Sequence, residues 1–116
     1  MRLPRGTVVI VEPDPTSIGH EQAGRRPCVV VSDSTVTSAL RFPLLAVVPL
    51  TTTPLRQPFY PIVPPHPGSG LRVVSTALPD NVRSIDPARV VRVGGTIAEA
   101  DLLAIDAALS RFLGLR

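Results

Sequence analysis

The stretch Gly19-His20-Glu21-Gln22-Ala23-Gly24-Arg25-Arg26-Pro27 sets nine residues rich in charge and glycine directly against the apolar run Cys28-Val29-Val30-Val31-Ser32. Glycine lets a backbone turn tightly and approach a ligand closely. Arg25 and Arg26 stand where this loop becomes a strand, and a rigid strand fixes what a loop presents. That is a suitable place to hold an anion, although a surface hairpin loop with solvated charges fits the same spacing. Thr51 stands at the far end of another apolar run, Leu44–Leu50. If the two strands are neighbours, the Arg26 guanidinium and the Thr51 hydroxyl can meet at one phosphate. Arginine would neutralise charge developing at phosphorus, and threonine would donate a hydrogen bond to a phosphate oxygen. The plainer reading of Thr51-Thr52-Thr53 is a strand exit whose hydroxyls bond the local backbone. Glu12 and Asp14 read as turn residues in solvent rather than as a catalytic carboxylate pair. Gly19 and Gly24 lack the Gly-Lys-Ser/Thr of a phosphate-cradling loop, and no Ser-His-Asp set can be assigned from spacing.

Positioning these residues requires short, bent strands. Fourteen prolines punctuate β-branched runs in the 116 residues, which argues against long helices before about residue 95. Strands are expected at Thr7–Glu12, Cys28–Ser32, Leu44–Leu50, Leu71–Leu78, Val82–Ile85 and Val90–Val93. Pro13-Asp14-Pro15-Thr16 should end the first strand, since proline cannot donate to a ladder. The proline-rich segment 54–70 allows at most a short edge strand near Phe59–Val63. The spacing suggests a compact barrel or sandwich. The C-terminus changes character: Thr96-Ile97-Ala98-Glu99 fits a capping box. Leu102, Ile105, Leu109 and Phe112 then recur at helical spacing, and Gly114 is a natural stop.

Composition narrows the class. The length predicts a single domain over residues 1–116. The chain is 44% hydrophobic but only 3% aromatic and has no Trp, so the core must be built from Val, Leu, Ile and Ala. Net charge is +3, and all twelve basic residues are Arg. Arginine forks onto phosphate and stacks on bases. Residues 1–92 hold ten Arg against six acids, and residues 93–116 hold two against three, so the positive charge belongs to the body of the chain. One cysteine, Cys28, excludes an intrachain disulfide and reads as a small core residue. Two distant histidines and one cysteine make no recognisable metal-ligand cluster. No signal peptide is visible, and no apolar stretch approaches the roughly 20 residues of a membrane span. A cytoplasmic protein is expected.

Three segments together resemble the MazF/PemK toxin family. The first runs from Arg5-Gly6-Thr7-Val8-Val9 through Asp14-Pro15-Thr16 to Glu21-Gln22-Ala23-Gly24-Arg25-Arg26-Pro27 and Ser32. The second is Val47-Val48-Pro49-Leu50-Thr51-Thr52. The third is Asn81-Val82-Arg83-Ser84-Ile85-Asp86-Pro87-Ala88-Arg89-Val90, followed by a helix ending Leu113-Gly114-Leu115. The resemblance implies an α+β, mainly β fold: a small SH3-like barrel of the CcdB/PemK type with a C-terminal α-helix. It implies a homodimeric toxin that cleaves single-stranded RNA sequence-specifically, without a metal or other cofactor. Attack by the ribose 2′-hydroxyl would leave a 2′,3′-cyclic phosphate and a 5′-hydroxyl. The implied catalytic residues are Arg26, Thr51 and Glu21. Substrate contacts are implied for His20, Gln22, Arg25, Thr52, Asn81 and Arg83. The implied partner is a cognate antitoxin that covers the RNA cleft; no membrane is involved.

The chain departs from the family pattern at three positions. Val9 stands where members often carry an aromatic residue, Asn81 where Gln is common, and Pro13 where proline is unusual. RNA bases are commonly stacked on aromatics, which leaves Phe59 and Tyr60 as the stacking candidates. Two alternatives share the fold: a gyrase-poisoning toxin of the CcdB type and a non-catalytic SH3-like binding module. The former carries an essential Trp near its C-terminus, and this chain has none.

Overall fold

The computed structural model describes residues 2–12 and 25–115. The turn expected at Pro13–Thr16 lies outside them. Seven strands are found among the described residues: β1 Thr7–Val11, β2 Arg26–Val30, β3 Leu45–Thr51, β4 Ile62–Val63, β5 Ser75–Ala77, β6 Arg83–Ile85 and β7 Val90–Thr96. A short helix α1 (Ser34–Ser38) follows β2, and α2 (Glu99–Leu113) closes the chain. The strand order is β4-β5-β3-β2-β1-β7, with β6 also pairing β3. All pairings are antiparallel. This is the bent, mainly β architecture with a C-terminal helix that the sequence leads one to expect, but open rather than a closed barrel among the described residues.

The central strands are apolar throughout because both of their faces are covered. Val8, Val29, Val48 and Leu50 pack with Val63, Ile97 and the α2 residue Ile105 on one face. Val9, Val11, Cys28, Val30 and Val47 pack with Leu3, Leu45 and Ile85 on the other. A strand buried on both sides reads as a continuous hydrophobic run, which is why the valine pairs 8–9, 29–30 and 47–48 carry no alternation.

Pro49 sits inside β3, a central strand, without disrupting it. Its carbonyl accepts from Leu78 N–H at 2.9 Å, and the N and C=O of one strand residue point to the same flank. On that flank β3 pairs β6 through Leu45–Val47 and β5 through Leu50–Thr51. The missing N–H of Pro49 therefore falls in the gap between two partner strands. The β1–β7 ladder carries register shifts at Thr7/Val9 and Ile10/Val11, which bend β7 around β1. In β7, Gly95 lies under the 66–70 loop, and its N–H donates to Ser69 O at 3.2 Å. A Cβ on Gly95 would overlap the Gly68 carbonyl, so only glycine permits this approach. The short edge strand β4 is flanked by Pro61 and by Pro64-Pro65.

Several expectations are corrected. Of Leu71–Leu78 only Ser75–Ala77 is strand; Val73 and Val74 are exposed and find no ladder partner. Thr96 is not the helix cap. It stays in β7 opposite Thr7, and Ala98 takes the cap position with no side-chain bond. Phe112 is half exposed rather than in the core, whereas Ile105 is fully buried. Gly114 ends the helix in the left-handed conformation, as expected. Arg5 ties the N-terminal segment to α2 through an ion pair with Asp106, and also bonds the Val31 carbonyl.

Candidate nucleic-acid interface

Arg26 and Thr51 stand at the same end of two neighbouring antiparallel strands, β2 and β3. β2 and β3 pair Val30 with Val47, Val29 with Val48, and Cys28 with Pro49. The same register carried two residues further sets Arg26 opposite Thr51. Residues two apart share a face, so Arg26, Cys28 and Val30 line up with Thr51, Pro49 and Val47. On the other flank of β3, Thr51 pairs Thr76 of β5, and Val47 pairs Arg83 of β6. Arg83 thus joins the face that carries Arg26. Arg26 and Arg83 are half-buried, and Thr51 is buried.

The Cys28 thiol reports how these cations converge. Burial pushes its pKa up to about 11, while the charges of Arg83, Arg89 and Arg26 oppose that rise. All three guanidinium charges thus act on the same buried thiol. Arg89, which sequence reasoning left without a role, is fixed there by its surroundings. Its Nη2 donates to the Glu12 carbonyl at 2.6 Å, and its own carbonyl accepts from Glu12 N–H at 2.9 Å. The preceding turn is held by Asp86, whose Oδ1 accepts from Ala88 N–H at 2.9 Å. The motif Asp86-Pro87-Ala88-Arg89 contains all of this chemistry, but only the fold shows where Arg89 points its charge.

The Thr51 hydroxyl accepts from Thr53 N–H at 3.1 Å. The local-backbone reading of the threonine run is therefore correct as far as it goes. It leaves the hydroxyl proton available, since a hydroxyl is both donor and acceptor. Thr52 is exposed beside it. Arg25 is exposed and pairs Glu12, its Nε and Nη2 reaching Oε1 at 3.0 and 2.6 Å. Its charge is partly spent on that pair, whereas Arg26 has no ion-pair partner among the described residues. Asn81 lies in the turn before β6, its Nδ2 donating to Asp80 Oδ1 at 3.2 Å. Glu21, His20 and Gln22 lie outside the described residues.

The proline-rich loop is tied to this region by its aromatics. The Tyr60 hydroxyl donates to Asp80 Oδ2 at 2.8 Å, and this bond raises the Tyr60 pKa above its ordinary value. Phe59 stands edge-on to Tyr60 at 5.2 Å and tilted to Phe112 at 6.4 Å, with the Arg111 guanidinium 5.9 Å from its ring. The loop is thereby pinned between α2 and the turn that carries Asn81.

The arrangement can neutralise a phosphodiester at the Arg26–Thr51 end of the sheet and hold its neighbours through Arg83 and Arg89. Comparison with known proteins agrees with this chemistry. The family model described as PemK-like, MazF-like toxin of type II toxin–antitoxin system matches residues 4–113. Endoribonuclease MazF9 of Mycobacterium tuberculosis is 31% identical over 114 residues, covering 96% of each chain. The probable endoribonuclease MazF of Mycolicibacterium smegmatis is 31% identical over 91 residues, 78% of this chain and 81% of that one. The crystal structure of MazF from Deinococcus radiodurans superposes with a TM-score of 0.79 at 26% identity, covering 99% of both chains. A MazE–MazF structure from the same organism gives 0.77 at 26% identity, covering 100% of this chain and 99% of that one. The chain belongs to the PemK-like, MazF-like toxin family of type II toxin–antitoxin systems.

Proposed function

We propose that this protein is a toxin that cleaves single-stranded RNA at the face carrying Arg26 and Thr51. The observation that supports the reading is the β2–β3 register, which continued two residues past Cys28–Pro49 would bring these two side chains opposite each other. In the reaction the ribose 2′-hydroxyl attacks phosphorus and the bond to the 5′-oxygen breaks. The products are a 2′,3′-cyclic phosphate and a 5′-hydroxyl. Arg26 stays protonated, because a guanidinium does not titrate in the working range. Its part is electrostatic: it stabilises the extra negative charge on the phosphorane. Thr51 donates its free hydroxyl proton to a non-bridging oxygen. Glu21 takes the 2′-hydroxyl proton, and the leaving 5′-oxygen takes a proton from water. No metal ion is needed for these steps. His20, Gln22, Arg25, Thr52, Asn81 and Arg83 contact the strand around the scissile phosphate.

The protein works in the cytoplasm as a homodimer and is held inactive by a cognate antitoxin. The relatives named as endoribonucleases support the activity, and the MazE–MazF structure of a structural relative supports the antitoxin partner. The test is cleavage of a long single-stranded RNA in EDTA, with Arg26→Ala alongside. Discrete fragments are expected from the wild type, with rates about 100- to 1,000-fold lower in the variant, the usual loss for a charge-stabilising group. Equal cleavage by both proteins would remove Arg26 from the reaction.

A further inference from the structure

A cavity of about 580 Å³ opens on the opposite face of the same sheet end. Its floor is a row across three strands: Arg92 of β7 pairs Ile10 of β1, which pairs Pro27 of β2. Pro27 follows Arg26, so the two side chains leave β2 on opposite faces. The 66–72 loop forms the other wall and contributes Leu71, His66 and Arg72.

That loop is held rigidly. Ser69 is fully buried, its N–H donating to His66 O and its carbonyl accepting from Gly95 N–H. Its Oγ accepts from Leu71 N–H at 3.1 Å. On either side, Gly68 and Gly70 adopt φ of 84° and 85° with open space around them. Among the described residues neither glycine N–H donates to a protein acceptor. Arg72, Arg92 and His66 are exposed at the rim; among the described residues no carboxylate lines the cavity and none of the three forms an ion pair.

We infer that this cavity binds one nucleotide unit, with its phosphate on Arg72 and Arg92 and its base against Ile10, Pro27 and Leu71. The volume suits a small ligand. A half-buried apolar floor below two exposed guanidinium groups offers what a base and a phosphate each require. The exposed His66 ring and the arginine planes supply stacking surfaces at the rim. The two free glycine amides add neutral donors for phosphate oxygens. A free mononucleotide and a flanking nucleotide of a bound strand share this chemistry. Neither depends on Arg26 being catalytic.

The test is an NMR titration of the full chain with AMP, UMP, inorganic phosphate and a short deoxyribo-oligonucleotide, read at the amides of Ser69, Gly70 and Gly95. Nucleoside monophosphates or the oligonucleotide are expected to shift these signals. An Arg72→Ala/Arg92→Ala double variant should bind at least tenfold more weakly, and Arg26→Ala should bind the monophosphates as the wild type does. Both arginines are exposed, so the variant should fold; Arg92→Gln alone gives a milder second reading. Loss of this one neutralised phosphate should also lower the salt slope of oligonucleotide binding by about 0.7. Shifts with monophosphates assign a free-nucleotide site, and shifts with the oligonucleotide alone assign a strand site. No shift with either, equal binding by the double variant, or an equal response to inorganic phosphate alone would overturn the inference.

Discussion

Replacing Gly95 by alanine would drive a methyl group into the backbone of the 66–70 loop. The new Cβ would overlap the Gly68 carbonyl oxygen, lie 2.5 Å from its carbonyl carbon and 3.2 Å from Ser69 Cα. These are backbone atoms, so no side-chain rotation relieves the contact and the loop must lift. Lifting it breaks the bond from Gly95 N–H to Ser69 O, worth about 1 kcal/mol. Overpacking strain of about 1–3 kcal/mol adds to this, for a total of roughly 2–4 kcal/mol. Two controls fix the interpretation. At Gly94 a Cβ would sit 3.2 Å from two carbonyl oxygens, a milder crowding. At Gly70 it would meet open space but inherit a φ of 85°, which costs an L-residue about 1–2 kcal/mol. Urea unfolding of the three variants should rank Gly95→Ala as the most destabilised, with the Ser69 amide losing its protection from hydrogen exchange. A Gly95→Ala protein within about 0.5 kcal/mol of wild type would refute the account of how this loop is seated.

Other consequences are open to measurement. Thr51→Val removes the free hydroxyl at constant shape and should lower cleavage about 100-fold, whereas Thr51→Ser should keep most of it; wild-type rates in the valine variant would exclude Thr51 from the reaction. Cys28 ionises near 11 in the folded chain against an ordinary 9.0, so the unfolded chain releases its thiol proton first. Stability should therefore fall from about pH 9 to 11, by roughly 2–3 kcal/mol. Stability curves of wild type and Cys28→Ala that stay parallel across this range would contradict it. Phe59→Ala removes the ring that touches Tyr60, Phe112 and Arg111. It should destabilise the protein by about 1–2 kcal/mol and alter the preferred cleavage sites, and fragment mapping with an unchanged pattern would deny the loop a part in base selection.

The sequence reveals strands where local pattern and tertiary demand agree. The valine runs of β1, β2 and β3 are legible because burial on both faces requires unbroken apolar residues. Leu71–Leu78 misleads because Val73 and Val74 have strand-forming side chains but no neighbouring backbone to pair with. The apparent capping box at Thr96 fails because pairing with Thr7 holds that residue in β7. Helix α1 is hidden by its β-branched Thr and Val residues, which have low helix propensity; the Asp33 cap, accepting from Thr35 and Val36 N–H, rescues it. In the candidate site, Arg26 and Thr51 announce themselves as strand-end residues. The placement of Arg83 and Arg89 does not, because it depends on β6 pairing β3 and on Arg89 bonding Glu12, both far away in the chain.

The two outer strands also govern how copies of this protein meet. A two-residue β4 bracketed by prolines offers almost no backbone donors to an incoming strand. At the opposite border, the Gly95 N–H is already taken by Ser69. Pairing with an incoming strand is hindered at these two points, a device that works against fibrous association of a valine-rich chain.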